Sequence, residues 1–118
     1  MNHSIAHALG VIYDTHHGLA NAAILTKVMH FNMSDNGVKK KLASLGPLLK
    51  TKSDAETVLK SIEEWLISLG LPTNLKKMGI ERNQIQDIEA YALEDPCCPL
   101  NPKRVERGDV VKIIKSLL

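Results

Sequence analysis

Four of the five histidines of this 118-residue chain stand in one short run, HSIAHALGVIYDTHHG, from His3 to Gly18. His3 and His7 are four residues apart, so on a helix their imidazoles leave from one face with Cβ atoms roughly 5 to 6 Å apart. That spacing suits a shared metal ion or a shared substrate. His17 lies beyond YDTH and can return to the same place only if the chain reverses there, which the turn-forming residues allow. Gly18 beside it permits close backbone approach. A histidine at the mouth of the following helix can present one ring nitrogen while the other holds a hydrogen bond.

Spacing alone leaves a second reading open, in which these are ordinary helix residues. A single histidine on a helix is usually a surface residue or a hydrogen-bonded core residue, and His30 is read that way. Catalytic zinc takes three protein ligands, and non-haem iron commonly adds a carboxylate to its histidines. No H-E-x-x-H follows, and the only carboxylate near the cluster, Asp14, reads as a cap or turn residue.

The elements that must position these rings are helices. From Asn2 to about Tyr13 the apolar residues Ile5, Ala8, Leu9 and Ile12 recur at helical spacing, and DTHHG breaks the pattern. LANAAILTKVMHF is apolar on most sides and reads as a buried helix that stops in NMSDNG. VKKKLASLG reads as a shorter helix closed by Gly46 and Pro47. Ser53-Asp54-Ala55-Glu56 has the form of a capping box. It opens a helix expected to bury Val58, Leu59, Ile62, Trp65, Leu66 and Leu69 on one face, closed by Gly70 and Pro72. TNLKKMG holds at most a short turn. ERNQIQDIEAYALED is helical up to Pro96, and a last helix runs from roughly Glu106 to Leu118. The expected fold is all-α, a compact bundle of five to six helices without a sheet, in one domain over residues 1–118.

Composition agrees with that class. Apolar residues make up 44% of the chain, but Trp65, Tyr13, Tyr91 and Phe31 are its only aromatics, so the core must be aliphatic. A net charge of +2, from 15 basic and 13 acidic side chains, is too balanced for a nucleic-acid footprint. No apolar run is long enough to cross a membrane, and no signal peptide stands at the N-terminus, so a cytoplasmic location is expected. Cys97 and Cys98 are adjacent. Two reduced thiols are expected there, since a bridge between neighbours needs a strained ring.

The run H-x3-H-A-L-G-x6-H-G-L-A-N-A-A-I-L-x2-V-M-x-F-N, from His3 through Asn32, closely resembles the signature of the iron-containing (group III) alcohol dehydrogenases. LGLPTNLKKMGIERNQIQDIEAYALED and DPCCPLNPK resemble later stretches of the same family's C-terminal half, so the likeness spans essentially the whole chain. It implies that His3 and His17 are metal ligands, for Fe²⁺ or Zn²⁺, and that His7 is the residue that positions substrate or passes a proton. The implied reaction is reversible hydride transfer between NAD(P)H and a small alcohol or its aldehyde or ketone, with the metal polarising the oxygen as a Lewis acid. An imidazole with an ordinary pKa near 6.5 suits proton traffic around neutrality.

Departures from the family pattern carry their own expectations. The family's nucleotide-binding α/β domain, its glycine-rich phosphate loop and its remaining ligands, an aspartate and a histidine, have no counterpart in these 118 residues. SLGPLL and ISLGLP are helix ends. His16 stands where the family usually has proline, and Gly18 favours His17 over His16 as the ligand. The chain opens two residues before the first ligand position, which fits a remnant, a fragment, or one half of a site completed by another chain. On this basis the isolated chain is expected to be inactive. The rival expectations are a non-enzymatic helical module that associates with itself or with a separate nucleotide-binding chain, and the glycerol dehydrogenase or dehydroquinate synthase branches that share the helical domain.

Overall fold

The computed structural model describes residues 1–118 as six α-helices with no strand. They are α1 (Asn2–Tyr13), α2 (His17–Asn32), α3 (Asn36–Ala43), α4 (Ala55–Ser68), α5 (Ile85–Glu94) and α6 (Asp109–Leu117), with single 3-10 turns at Arg82–Gln84 and Cys98–Leu100. The expected helical bundle is therefore the observed architecture. No helix is long and apolar enough to cross a membrane.

Helix α1 packs between α2 and α5, and its sequence explains why. Ile5 and Leu9 are one turn apart and fully buried, and Ala6 and Ala8 beside them keep the backbone close to its neighbours. The helix ends where Asp14 takes the left-handed conformation at φ 51° and returns its N–H to the Gly10 carbonyl. A short polar side chain tolerates that conformation better than most, which is why an aspartate can do the work of a C-terminal glycine. Helix α2 has no exposed residue from Ala20 to Met29, as its apolar sequence implies. Ala20, Ala23, Ile24 and Val28 join Ile85, Ile88, Ala92, Val110 and Ile114 in the main core.

Helices α3 and α4 form a smaller annex with its own cluster of Met33, Leu42, Ala55 and Leu59. Gly46 in the connection is buried, and a Cβ there would sit 2.6 Å from the Lys52 carbonyl oxygen, so this crossing of the chain over itself requires glycine.

Two expectations for α4 need correction. The cap is Asp54, whose carboxylate accepts from the Thr57 N–H at 3.0 Å and from the Thr57 hydroxyl at 2.8 Å. Ser53 and Glu56 do not form the reciprocal box. An ionised carboxylate accepts more strongly than a serine hydroxyl, and the helix moves one residue to use it. The hydrogen bonds from Thr57 hold the Asp54 carboxyl below its ordinary pKa. The buried face is also narrower than expected: Val58, Leu59 and Leu66 are buried, but Trp65 and Leu69 are 58% and 55% exposed. Near the C-terminal end of α4 the cover reaches Leu66 but leaves Trp65 and Leu69 in solvent.

Two polar contacts fix the C-terminal third, the first joining α5 to α6 within it and the second tying it to the end of α2. Glu89 of α5 accepts from the backbone N–H of Gly108 at 2.7 Å, capping α6 from a neighbouring helix at the position where Gly108 has φ 89°. The Asn32 and Asn101 amides exchange hydrogen bonds at 3.1 and 2.7 Å across 69 residues.

Thermal or urea unfolding followed by circular dichroism checks this account. Leu9→Ala is expected to lose about 2 to 5 kcal/mol, as for other fully buried leucines. Asp54→Ala should lower the unfolding midpoint clearly, while Ser53→Ala should leave it close to wild type. The reverse order for the last two would restore serine as the cap.

Candidate metal and proton-transfer site

The α1–α2 reversal brings three histidines together. His3 and His7 project from the exposed edge of α1, and His17 is the first residue of α2. Their ring centroids lie 6.1 Å apart for His3–His7, 5.2 Å for His3–His17 and 5.0 Å for His7–His17, the last pair stacked at 16°. One nitrogen from each ring lies within 4.8 Å of one from each other ring. His3 Nδ1 and His17 Nε2 are 3.1 Å apart, one donating and one accepting according to tautomer. The short loop Asp14–His16 is what makes this possible, because the left-handed turn at Asp14 sends α2 back along α1.

Two side-chain amides brace His17. The Asn21 side-chain NH₂ lies 3.0 Å from His17 Nε2 and donates to the His17 carbonyl at 2.9 Å, and the Asn2 amide donates to Asn21 Oδ1 at 2.7 Å. Asn21 stands four residues after His17, one turn up the same face.

His7 is held from a different direction. Its Nδ1 lies 2.7 Å from Oδ2 of Asp95, the residue that ends α5. The other Asp95 oxygen accepts the Cys97 backbone N–H at 2.8 Å. Burial of the Asp95 carboxyl pushes its pKa up, but the hydrogen bonds from His7 and Cys97 outweigh it and bring the value down to about 2. His7, Asp95 and Cys97 also form a second trio with donor atoms within 4.8 Å of one another. Cys98 points inward, where burial raises its thiol pKa and keeps it protonated.

The remaining sequence candidates fall outside the cluster. His16 occupies the N-cap position of α2 without capping it through its side chain. Its ring lies over Gly18, where a Cβ would come within 3.3 Å of it, and no backbone atom from outside its own helix lies within 4 Å of that position, so this glycine makes room for the His16 ring and not for the close backbone approach expected there. Asp14 is an exposed C-cap residue. His30 lies on the surface with its Nε2 3.7 Å from Glu56. Sequence reasoning missed Asp95, Asn21 and Asn2. Asp95 stood in the quoted DPCCPLNPK stretch, but nothing in its local pattern joins it to His7, 88 residues away.

The pattern that describes the Fe-containing alcohol dehydrogenase family, C-terminal, matches residues 1–118. The chain belongs to the iron-containing alcohol dehydrogenase family. Among relatives within it, alcohol dehydrogenase 4 of Saccharomyces cerevisiae is 31% identical over 115 residues, covering 97% of this chain and 30% of that protein. Lactaldehyde reductase of Escherichia coli K12 is 30% identical over 116 residues, covering 94% and 30%. A crystal structure of 1,3-propanediol oxidoreductase superposes with a TM-score of 0.90 at 26% identity, over 99% of this chain and 32% of that one. The alcohol dehydrogenase from Oenococcus oeni gives 0.88 at 26% identity over the same shares. This member of the iron-containing alcohol dehydrogenase family thus spans about a third of the length of the relatives it matches, in their C-terminal, helical part.

The low Asp95 pKa ties the site to stability. An unfolded aspartate titrates near 3.9, and a lower folded value means that the native state holds the ionised form more tightly. That stabilisation is complete above about pH 4 and disappears as pH falls through about 2. Urea midpoints measured between pH 2 and 5 should therefore fall more steeply for wild type than for Asp95→Asn, and parallel curves would contradict the ion pair.

Proposed function

We propose that this chain forms the metal-holding wall of an NAD(P)-linked alcohol dehydrogenase site. His3 and His17 would hold the ion, and His7 would exchange a proton with the substrate. The observation that carries this reading is the meeting of three solvent-accessible imidazoles from two helices, with nitrogens within 4.8 Å. Imidazole is a borderline donor that suits both Fe²⁺ and Zn²⁺, so the residues present fit such a metal. Two histidines leave coordination positions for further ligands and substrate. The bound ion would supply Lewis-acid polarisation of the substrate oxygen.

The chain's own residues supply the rest of what is proposed. Asn21 and the packing of α2 keep the His17 ring against His3. His7 stacks on His17, so an alcohol oxygen lying next to the ligand rings is also next to the ring that takes its proton. The names of the relatives run from alcohol to lactaldehyde and 1,3-propanediol, which supports a short primary alcohol or diol as substrate. The nicotinamide cofactor would be held outside these 118 residues, so the chain alone should not turn over alcohol.

A second reading rests on a separate observation. Val11, Trp65, Ile67 and Leu69 are each more than half exposed, and exposed apolar side chains of this size favour association. Under it the chain is a helical module that pairs with a second copy.

Calorimetric titration with Zn²⁺ tests the metal reading. The expected outcome is one site per chain, weakened at least tenfold by either His3→Ala or His17→Ala. Equal heats from wild type and both variants would remove these residues as ligands. Assays of NAD(P)-linked oxidation of short alcohols and diols with added Fe²⁺ or Zn²⁺ are expected to show no turnover. Turnover lost in His7→Ala would overturn the inactivity of the isolated chain while supporting the role of His7. Sedimentation showing a strict monomer would dispose of the association module.

A further inference from the structure

His7 has two ring nitrogens, and which one carries the proton decides what the ring can do to an alcohol. The Asp95 side chain is only 13% exposed and both of its oxygens are engaged, Oδ1 by the Cys97 N–H and Oδ2 by His7 Nδ1. Its low pKa keeps it ionised throughout the neutral range. A carboxylate without a proton can only accept, so Nδ1 must be the donor, and in the neutral ring the lone pair is then on Nε2. The Cys97 backbone bond fixes the carboxylate itself, because it belongs to the tight turn that follows α5.

The geometry points to Asp95 as the positioning residue that sets the His7 tautomer and so makes Nε2 the nitrogen that meets the substrate hydroxyl. This rests on the reading of His7 as the proton partner. In the oxidation direction the O–H bond of the alcohol breaks, its electron pair stays on oxygen, and the proton forms a bond to Nε2. The imidazolium charge then lies against the Asp95 carboxylate 2.7 Å from Nδ1, which favours it without itself taking the proton. In the reduction direction the same proton returns from Nε2–H to the oxygen. Without Asp95 the neutral ring is free to place its proton on Nε2, and it would then offer the hydroxyl a donor where an acceptor is needed.

Long-range ¹⁵N–¹H correlation spectra of the labelled 118-residue chain read the tautomer of each histidine directly, without metal or nucleotide. The His7 signals are assigned by their loss in His7→Gln. The expected result, under conditions where the ring is neutral, is a single His7 species protonated at Nδ1 in wild type. In Asp95→Asn and Asp95→Ala that signature should be lost in favour of mixed or Nε2-protonated species. The His3 and His17 signals should stay in place, which separates loss of positioning from loss of fold. Wild-type His7 protonated at Nε2 would overturn the proposal whether or not the variants fold, as would an unchanged tautomer in folded Asp95→Ala. Failure of the metal reading would show in the Zn²⁺ titration and leave these spectra as predicted, so the two outcomes are distinguishable.

Discussion

The phase of helix α1 is the constraint on which the site depends. Ile5 and Leu9 face the core and are fully buried, while His3 and His7, offset by two residues from each, stand exposed on the opposite edge. Both pairs repeat at i, i+4, so each forms a stripe along the axis. Burial of one such aliphatic side chain is worth about 1.5 to 3 kcal/mol, and turning α1 enough to move the histidines would expose both. The core therefore aims the imidazoles. The aim has to hold along two directions, because α1 meets α2 on one side and α5 on the other. These are the helices that carry His17 and Asp95 to the same edge.

Apolar packing sets the orientation of α1 but cannot determine ring rotation, and there the structure uses hydrogen bonds. Asn21 and Asn2 hold the ring from α2, Asp95 holds the ring from α1, and the Asn32–Asn101 amide pair ties the segment after α5 back to the end of α2. Each amide in these pairs depends on its partner, since a buried polar group left alone costs about 1 to 3 kcal/mol. The loop from Asp95 to Lys103 contains no helix longer than one 3-10 turn, yet it is anchored at three points: by Asp95 to α1, by Asn101 to α2, and by Lys103 stacked 3.8 Å over the Phe31 ring. An otherwise irregular segment is thereby made rigid enough to carry a residue of the site.

Much of this was legible because helical sequence is local. The bounds of α1, the buried character of α2 and the turn residues between them are readable from spacing within the first 32 positions, and they allow the reversal that brings His3, His7 and His17 together. What was not legible depended on where other helices lie. Trp65 and Leu69 lie close to the helical phase of Val58, but burial requires a neighbour, and none covers these two positions. The choice of Asp54 over Ser53 as cap turns on a one-residue shift that pattern alone does not resolve. Asp95 is the clearest case. Its neighbours Cys97 and Cys98 drew attention as thiols, whereas its own role needs α5 to end beside α1, a tertiary fact separated from His7 by most of the chain.

The proposed function also gives meaning to the exposure of the rings. A proton and a hydride leave an alcohol together only in a setting that excludes bulk water and fixes the reacting atoms, and His7 is 46% exposed with His3 and His17 beside it on the same open edge. A dehydrogenase site built on this edge thus needs a second surface facing it, one that supplies the remaining ligands, the nicotinamide and the exclusion of water together. Under that proposal, these 118 residues would contribute the part that must be rigid before such a surface closes over it: three imidazoles set by the phase of α1, with two of them held by Asn21 and Asp95. Preorganisation of this kind would lower what closing such a site must supply, since held rings would lose little rotational freedom on binding the proposed metal and substrate.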